Sequence, residues 1–458
     1  MRRLPVLALT ALACSSPMKP APPAPVWTPG LVYPTERGPS ARGFLDRKGL
    51  VHAHSIYSHD ACDGQPKNDA GVYDSDCLAD FRRDLCASKH DFVFLTDHGD
   101  SFLEHEFPDV LLYRPADGDT LVTHEGAPTA NRLACAGGGQ VLVMAGSETG
   151  GAMPVGLERH PGTPSTRRSF YGRDDVALHA ARDAGGLALV AHTEDYTPEE
   201  LISMPLDGFE MFNLHRNSLK NIGIAAELVV GKVSMGDFEG LPHPDAFFTA
   251  FNLDDDTYLS TWGTVFARGA KRVTTMGTDC HRNTFRDKLQ DGERIDSYRR
   301  MMIMFSNHLL VRDGEVDDRA LKEALRARRV YGTFDFLGAP DGFDFFATEG
   351  ARTKEMGDSV SLAAGVTLEA RTPRVRDLDA AAPAPAIVTK LFRAREGGWD
   401  EVASTSEPTL RYTPTAPGVF RVEVRMVPSH LRPHIGKRSD FVRAERPWVM
   451  TNAIWVTP

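Results

Sequence analysis

His52 and His54 stand two residues apart at the end of a short apolar run, Gly49-Leu50-Val51. Alternate residues of an extended chain face the same side, so the two imidazoles can clasp one cation. Metal-type residues end five more such runs: Asp97 and His98 after Phe92 to Leu95, Glu148 after Val141 to Ala145, and His192 after Leu187 to Ala191. Asn213 follows Gly208 to Phe212, and Asp279 and His281 follow Val273 to Met276. Mixed imidazole and carboxylate donors suit Zn, Mn or Fe. A carboxylate shared by two ions about 3.5–4 Å apart belongs to hydrolytic chemistry, in which metal coordination activates a water.

Such groups must be carried by something. Short runs rich in Val, Leu and Phe read as buried strands. Polar groups repeated at their C-terminal ends read as one site on one face of a β/α barrel. Helical patterns alternate with the runs from about Gly43 to Phe336: Asp76 to Ser88, Asp174 to Ala184 closed by Gly185-Gly186, Tyr258 to Arg268, and Asp318 to Arg329. This alternation predicts a crossover-linked parallel sheet. Glu227 to Asp256 breaks the pattern and is expected as an insertion near the substrate entrance. After Gly338 short strands separated by Pro and Gly are expected at Val360 to Ala370, Ile387 to Ala394, Thr409 to Pro414, Val419 to Met426 and Ala453 to Val456. These predict a small antiparallel β-sandwich.

Taken in order, His52-Ala53-His54, Asp60, Thr96-Asp97-His98-Gly99, Gly146-Ser147-Glu148, Ala191-His192 and Gly277-Thr278-Asp279-Cys280-His281 resemble the polymerase and histidinol phosphatase (PHP) family of metal-dependent phosphoesterases. The resemblance covers roughly residues 49–335. It implies an α/β fold, a distorted (β/α)7 barrel with two to three divalent cations at one rim, here followed by the sandwich. Carried over motif by motif, His52, His54, Glu148 and Asp279 would hold a first ion. Glu148 would bridge to a second, held with His192, and Asp60, His98 and His281 would hold a third. For the second ion's remaining ligand two readings stand. His160 has a suitable separation from Glu148, whereas Gly151 to Val155 resembles a family variant whose histidine falls at Ala152, which leaves that ligand missing. Asp97 is expected to support the site from behind, and Cys280 to pack away from it.

The implied activity is phosphoester hydrolysis by a metal-bridging hydroxide, with His281 or His215 protonating the leaving group. Arg216 and Arg282 are candidates for gripping substrate phosphate through a planar fork. The same centre suits a carbamate or amide hydrolase, and a surface-anchored binding protein with a non-catalytic PHP scaffold is the contrasting class. An amidohydrolase-like (β/α)8 barrel would need a lysine at a mid-chain strand end, and none stands there.

Composition sets the remaining bounds. Of 458 residues 41% are hydrophobic and 25% charged, enough for a sizeable core and more than one domain. A net charge of −10 with no long basic run argues against nucleic acid and leaves a small molecule as the expected partner. Arg2-Arg3, the apolar Leu4 to Ala13 and Ala11-Leu12-Ala13-Cys14 resemble a bacterial lipoprotein signal. Acylation of Cys14 would anchor the chain in the cell envelope, at the outer membrane facing the periplasm, by lipid alone. Residues 1–14 are therefore expected as signal, 15–42 as a Pro-rich tether, 43–337 as the barrel and 338–458 as the sandwich. Export permits disulfides, with Cys62–Cys77 and Cys86–Cys135 the expected pairs and Cys280 free.

Overall fold

The computed structural model describes residues 26–458 except 37, 39 and 41. Cys14, the signal segment and the tether up to residue 25 lie outside the described residues. Strand β1 (Phe44–Val51) pairs in parallel with β2 (Phe92–Phe94), and β2 in parallel with β3 (Gln140–Glu148). A tight turn, with Thr149 and Ala152 bridged, reverses the chain. Strand β4 (Ala152–Leu157) then lies antiparallel to both β3 and β5 (Leu187–Val190). Parallel pairing resumes from β5 to β6 (Gly208–Asn213) and from β6 to β7 (Val273–Gly277). Beyond β7 the series returns to its start: Ala53 bridges Cys280 in parallel, and Asp279 N–H donates to His52 O at 3.2 Å.

The reversal at β4 departs from the parallel order expected. Its cause is the short link between Glu148 and Ala152, because a parallel crossover needs a dozen or more residues whereas a hairpin needs only a few. A second departure is the hairpin Thr120–His124 with Ala127–Ala134, whose second strand pairs antiparallel with β3.

The helices follow their caps and apolar spacing. Helix α1 (Ser75–Ala87) begins where the Asp74 side chain accepts from the backbone of Asp76 and Cys77, and it buries Leu78, Phe81 and Leu85 along one face. Disulfides staple both its ends, Cys77 to Cys62 and Cys86 to Cys135. Asp174, Asp255 and Asp317 cap α2 (Asp175–Asp183), α3 (Asp256–Ala267) and α4 (Asp318–Arg326) in the same way.

The sheet does not stop at residue 338. Strand β8 (Ser306–Arg312) is antiparallel to β1, β9 (Val330–Thr333) is antiparallel to β8, and Arg446–Thr451 is antiparallel to β9. Gly418–Val427 and Ala386–Arg395 extend the same sheet. A separate four-stranded antiparallel sheet comprises Arg352–Glu355, Asp344–Glu349, Val366–Arg371 and Thr409–Tyr412. Its Leu368, Ala370 and Leu410 share one core with Leu391, Val422 and Val424 of the long sheet. That core reaches the half built on β1 to β7 as well. Trp262 of α3 packs edge-on against Trp399 with ring centroids 5.0 Å apart, and the fully buried Arg421 guanidinium lies over Trp262, Trp399 and Phe392.

The expectation of a loose tether is corrected for its described part. The chain from residue 26 is docked, not free: Trp27 packs against His430, and Arg42 pairs with Asp344 and Glu355. One aromatic ring offers more apolar area than the surrounding Pro and Ala, enough to hold the strand of chain down. Within Glu227 to Asp256, the turn Pro244–Phe251 buries Phe247, Phe248 and Phe251, so this insertion contributes to the core.

Candidate metal centre

The residues singled out at strand ends converge. β1 stops at Val51, and His52 and His54 flank Ala53, which is pinned by its bridge to Cys280. Both imidazoles are fully buried. His52 Nε2 and His54 Nε2 are 3.1 Å apart. Glu148 Oε2, from the tip of β3, lies 3.2 Å from His52 Nε2 and 3.3 Å from His54 Nε2. Asp279 Oδ1 lies 3.3 Å from each. Donors about 2.0–2.1 Å from a tetrahedral zinc stand about 3.3–3.4 Å from one another. The five separations fit five of the six edges of one tetrahedral coordination shell.

The far nitrogens of these rings fix which way they face. His52 Nδ1 is 2.7 Å from the carboxylate Glu210 Oε1, so it carries the proton and donates. Ser58 Oγ donates to Asp60 Oδ1 (3.1 Å) and accepts from His98 N–H (3.1 Å) and His54 Nδ1–H (3.0 Å). His281 Nδ1–H donates to Asp279 O at 3.0 Å, and His98 Nδ1–H to Glu148 O at 3.3 Å. Each Nε2 is left with its lone pair turned into the cluster, the pattern of a histidine built to ligate.

A second set adjoins the first. Asp60 Oδ2 is 3.5 Å from His98 Nε2 and 3.4 Å from His281 Nε2, and those two nitrogens are 3.4 Å apart. The His54 and His281 rings stack, centroids 3.7 Å apart. On the other side His192 Nε2 is 3.2 Å from Glu148 Oε1 and 3.6 Å from Asp279 Oδ2.

Electrostatics follow from crowding acids and imidazoles out of water. Burial acts against the charged His52, but Asp279, Glu210 and Glu148 outweigh it and hold its pKa well above the ordinary value. His192 is likewise pushed up to about 11 against the effect of burial, by Glu148 and Glu194. His98 rises to about 9 through Asp60 and Glu148, again against burial. Burial opposes the charge of the carboxylates, but His52, His192 and His54 hold Glu148, and His52, His215 and His54 hold Asp279, well below the carboxylate range. The site demands positive charge, and buried carboxylates are stable only with it. A divalent cation meets that demand where protons otherwise would.

Backbone strain gathers here too. His52, His192, Asp279 and Arg282 all have positive φ (116°, 53°, 53° and 56°), conformations that non-glycine residues adopt at a cost and that cluster at functional sites. Gly277 at the tip of β7 answers a different need. A Cβ there would collide with Glu210 Oε1 and His52 Nδ1.

No family model and no curated relative matches the chain. A solved two-domain protein from Bacteroides vulgatus ATCC 8482, described as containing a predicted PHP-like metal-dependent phosphoesterase, aligns over 92% of this chain and 99% of its own. Identity is 14% and the TM-score 0.34. At that distance the likeness carries no argument, and the site rests on its own geometry.

Some sequence candidates sit elsewhere. His160 is a correction: its Nδ1 is 2.8 Å from Tyr171 Oη and its Nε2 2.7 Å from His105 O, so both ring nitrogens are occupied away from the cluster. Strand β4 runs antiparallel, so it carries residues 158–160 toward the opposite end of the sheet. Ala152 starts that strand at the site end and is buried. Arg282 is held by Asp80 of α1 at 3.1 Å. Arg216 Nε lies 3.6 Å from Asp255 Oδ2 and 3.9 Å from Glu194 Oε1. Asp97 accepts from Ser55 N–H (2.5 Å) and Ser55 Oγ–H (2.8 Å), which fixes the loop after the histidine pair. Cys280 is free and buried.

Sequence reading missed Glu210, Ser58 and Glu194 as supports, and Asn213, singled out as a metal-type strand end, instead bonds Glu210 and caps the helix Leu214–Lys220. Glu210 had a signal, a lone carboxylate inside an apolar strand that is buried at every position. A cavity of about 370 Å³ at the start of β1 is distinct from the centre. Its charged residues pair among themselves, Asp46 with His308 at 2.9 Å and with Tyr331 at 2.6 Å.

Proposed function

We propose that the protein is a metal-dependent hydrolase of PHP-like type, acting on a small phosphoester. The supporting observation is the tetrahedral set of donors His52 Nε2, His54 Nε2, Glu148 Oε2 and Asp279 Oδ1, each imidazole turned inward by a partner on its other nitrogen. The strands from β1 to β7 are read as the distorted barrel that delivers them to one rim. His52, His54, Glu148 and Asp279 would hold one cation, Asp60, His98 and His281 another, and Glu148 with His192 a third. Zn, Mn or Fe bound there would supply a Lewis acid for the phosphoryl oxygens and bring a coordinated water near neutral pKa.

The chain's own residues do the positioning. Glu210 fixes His52, and Ser58 fixes His54 and the His98 backbone together. His98, His192 and His215 are less buried than the histidine pair, so the substrate enters from their side. Arg216, at the start of the helix that follows β6, is the candidate for meeting a phosphate on that side, once released from Asp255 and Glu194. His281 faces Asp60 and His98, which gives it to cation binding in preference to proton transfer.

Two disulfides support an oxidising compartment, and with the N-terminal sequence they support an envelope protein anchored through acylated Cys14. Metabolic labelling with radioactive palmitate tests the anchor, since Cys14→Ser removes the label.

His52→Ala and Asp279→Ala test the central reading. Each is expected to abolish turnover and lower bound metal in the purified protein. A panel of p-nitrophenyl phosphate, its bis-ester and an aryl carbamate separates phosphoester from carbamate chemistry. Full turnover with normal metal content in either variant overturns the assignment.

A further inference from the structure

Glu148 and Asp279 each present one oxygen to the histidine pair and turn the other away. Glu148 Oε1 meets His192 Nε2 at 3.2 Å. Asp279 Oδ2 lies 3.6 Å from that same nitrogen and 3.0 Å from His215 Nδ1. Four segments of the chain therefore bring four donor atoms to one place beside the first coordination shell. These three separations, 3.0–3.6 Å, bracket those of the first shell, whose donors stand 3.1–3.3 Å apart.

The placement of His215 is fixed, not accidental. It stands in the first turn of the helix Leu214–Lys220, directly after β6. Asn213 Oδ1 accepts from Arg216 N–H at 3.0 Å and so starts that helix, while Asn213 Nδ2 donates to Glu210 Oε2 at 3.0 Å. Glu210 also accepts from the His192 backbone N–H, at 2.9 Å. One buried carboxylate thus ties the two histidines that flank Asp279 Oδ2 to the same strand.

We infer that His215 is a cation ligand, completing a second position with His192, Glu148 Oε1 and Asp279 Oδ2, and that Asp279 as well as Glu148 bridges the first and second cations. This rests on the metal-centre reading above. It removes His215 Nδ1 from the role of leaving-group acid, because a nitrogen that coordinates cannot also deliver a proton.

The test is metal binding by the full folded chain, independent of any substrate. Protein stripped with a chelator is titrated with Zn²⁺ against a chromophoric competitor, and bound metal is counted by elemental analysis. His215→Ala is expected to bind one equivalent fewer than wild type, with affinity at that position weakened about 100-fold or more, since even an outer partner of a ligand is worth about 10–100-fold. Leu219→Ala, one turn along the same helix and exposed, is expected to bind as wild type does. Should His215→Ala fail to fold, His215→Gln keeps the volume and is expected to show the same loss. Wild-type stoichiometry and affinity in a folded His215 variant overturn the inference. So does loss of every ion, because the first shell has four donors of its own. A wild-type chain that binds one ion or none defeats the metal-centre reading itself, a different failure.

Discussion

Glu210 Oε1 stands 2.7 Å from His52 Nδ1, and both side chains are wholly buried. The two residues are 158 positions apart in sequence, yet this contact decides how the histidine pair works. A carboxylate on Nδ1 forces the proton there and aims Nε2 at the cluster. The other Glu210 oxygen holds the His192 backbone and Asn213, so one side chain sets three parts of the site.

Glu210→Gln keeps the shape and removes the charge. Metal affinity at the first position is expected to fall about 10–100-fold with the fold intact. Competition titration with a chelator measures it, and an unchanged affinity would show that the contact only packs.

Gly277 gives the pair its room. Gly277→Ala puts a methyl into Glu210 Oε1 and His52 Nδ1. Overpacking of this kind costs about 1–3 kcal/mol, and the displaced imidazole is expected to take turnover and first-site metal with it. A variant that unfolds in urea at the wild-type midpoint and keeps its metal would contradict this.

The two disulfides hold α1 to the site. Cys62 follows Asp60 by two residues, and its bridge to Cys77 closes a separation of 15 residues. Loop entropy puts its removal at about 3 kcal/mol, and about 4 kcal/mol for Cys86–Cys135, which spans 49. Cys62→Ser with Cys77→Ser, followed by chemical denaturation, checks the first figure. The same variant is expected to weaken the cation held by Asp60, while a Cys86/Cys135 double variant is not.

Acid stability should carry the signature of His90. Burial, then the charge of Lys48, pushes its pKa down to about 3, with Asp335 opposing and His308 assisting. Its Nε2–H donates to Met302 O at 2.9 Å, which needs only the neutral ring. In the unfolded chain the same imidazole protonates near pH 6.5. Between about pH 6.5 and 3 the unfolded state binds the extra proton, so unfolding free energy falls as pH falls, by about 1.4 kcal/mol per pH unit from this residue. Above pH 7 the contribution is constant. His90→Gln is expected to flatten the slope between pH 6 and 4 in urea denaturation. Parallel slopes in the two proteins would exclude His90 as the cause.

The chemistry-bearing residues were visible in the sequence because local rules place them: apolar runs end in His, Asp or Glu, and those ends are where a β/α sheet exposes side chains. The caps Asp74, Asp174 and Asp317 and the apolar faces of their helices were legible for the same reason. In the C-terminal part strands form within each expected stretch, but Val360 to Ala370 is split by the turn Leu362–Ala364 into Ser359–Ser361 and Val366–Arg371, which join different sheets, and Asp344–Glu349, Arg352–Glu355, Gly398–Thr405 and Arg446–Thr451 were missed. Arg352–Glu355 is short and charged, and the others break their apolar alternation with Asp, Glu, Gly or Pro, so they gain their place only from neighbours.

The sequence by itself determined which residue types could gather at the strand ends, which cysteines could pair, and that the donors at those ends are of the kind that suits cations. Tertiary structure alone decided which of sixteen histidines are inside. His160 was excluded by the direction of β4, which a short turn reversed, and His215 was brought to Asp279 by the path of the chain after β6. The shift in pairing between Thr275 and Met276 of β7 and their β6 partners is one more such decision. Because side chains alternate along a strand, register and direction determine which face each residue reaches, and both are settled by partners far away in the chain.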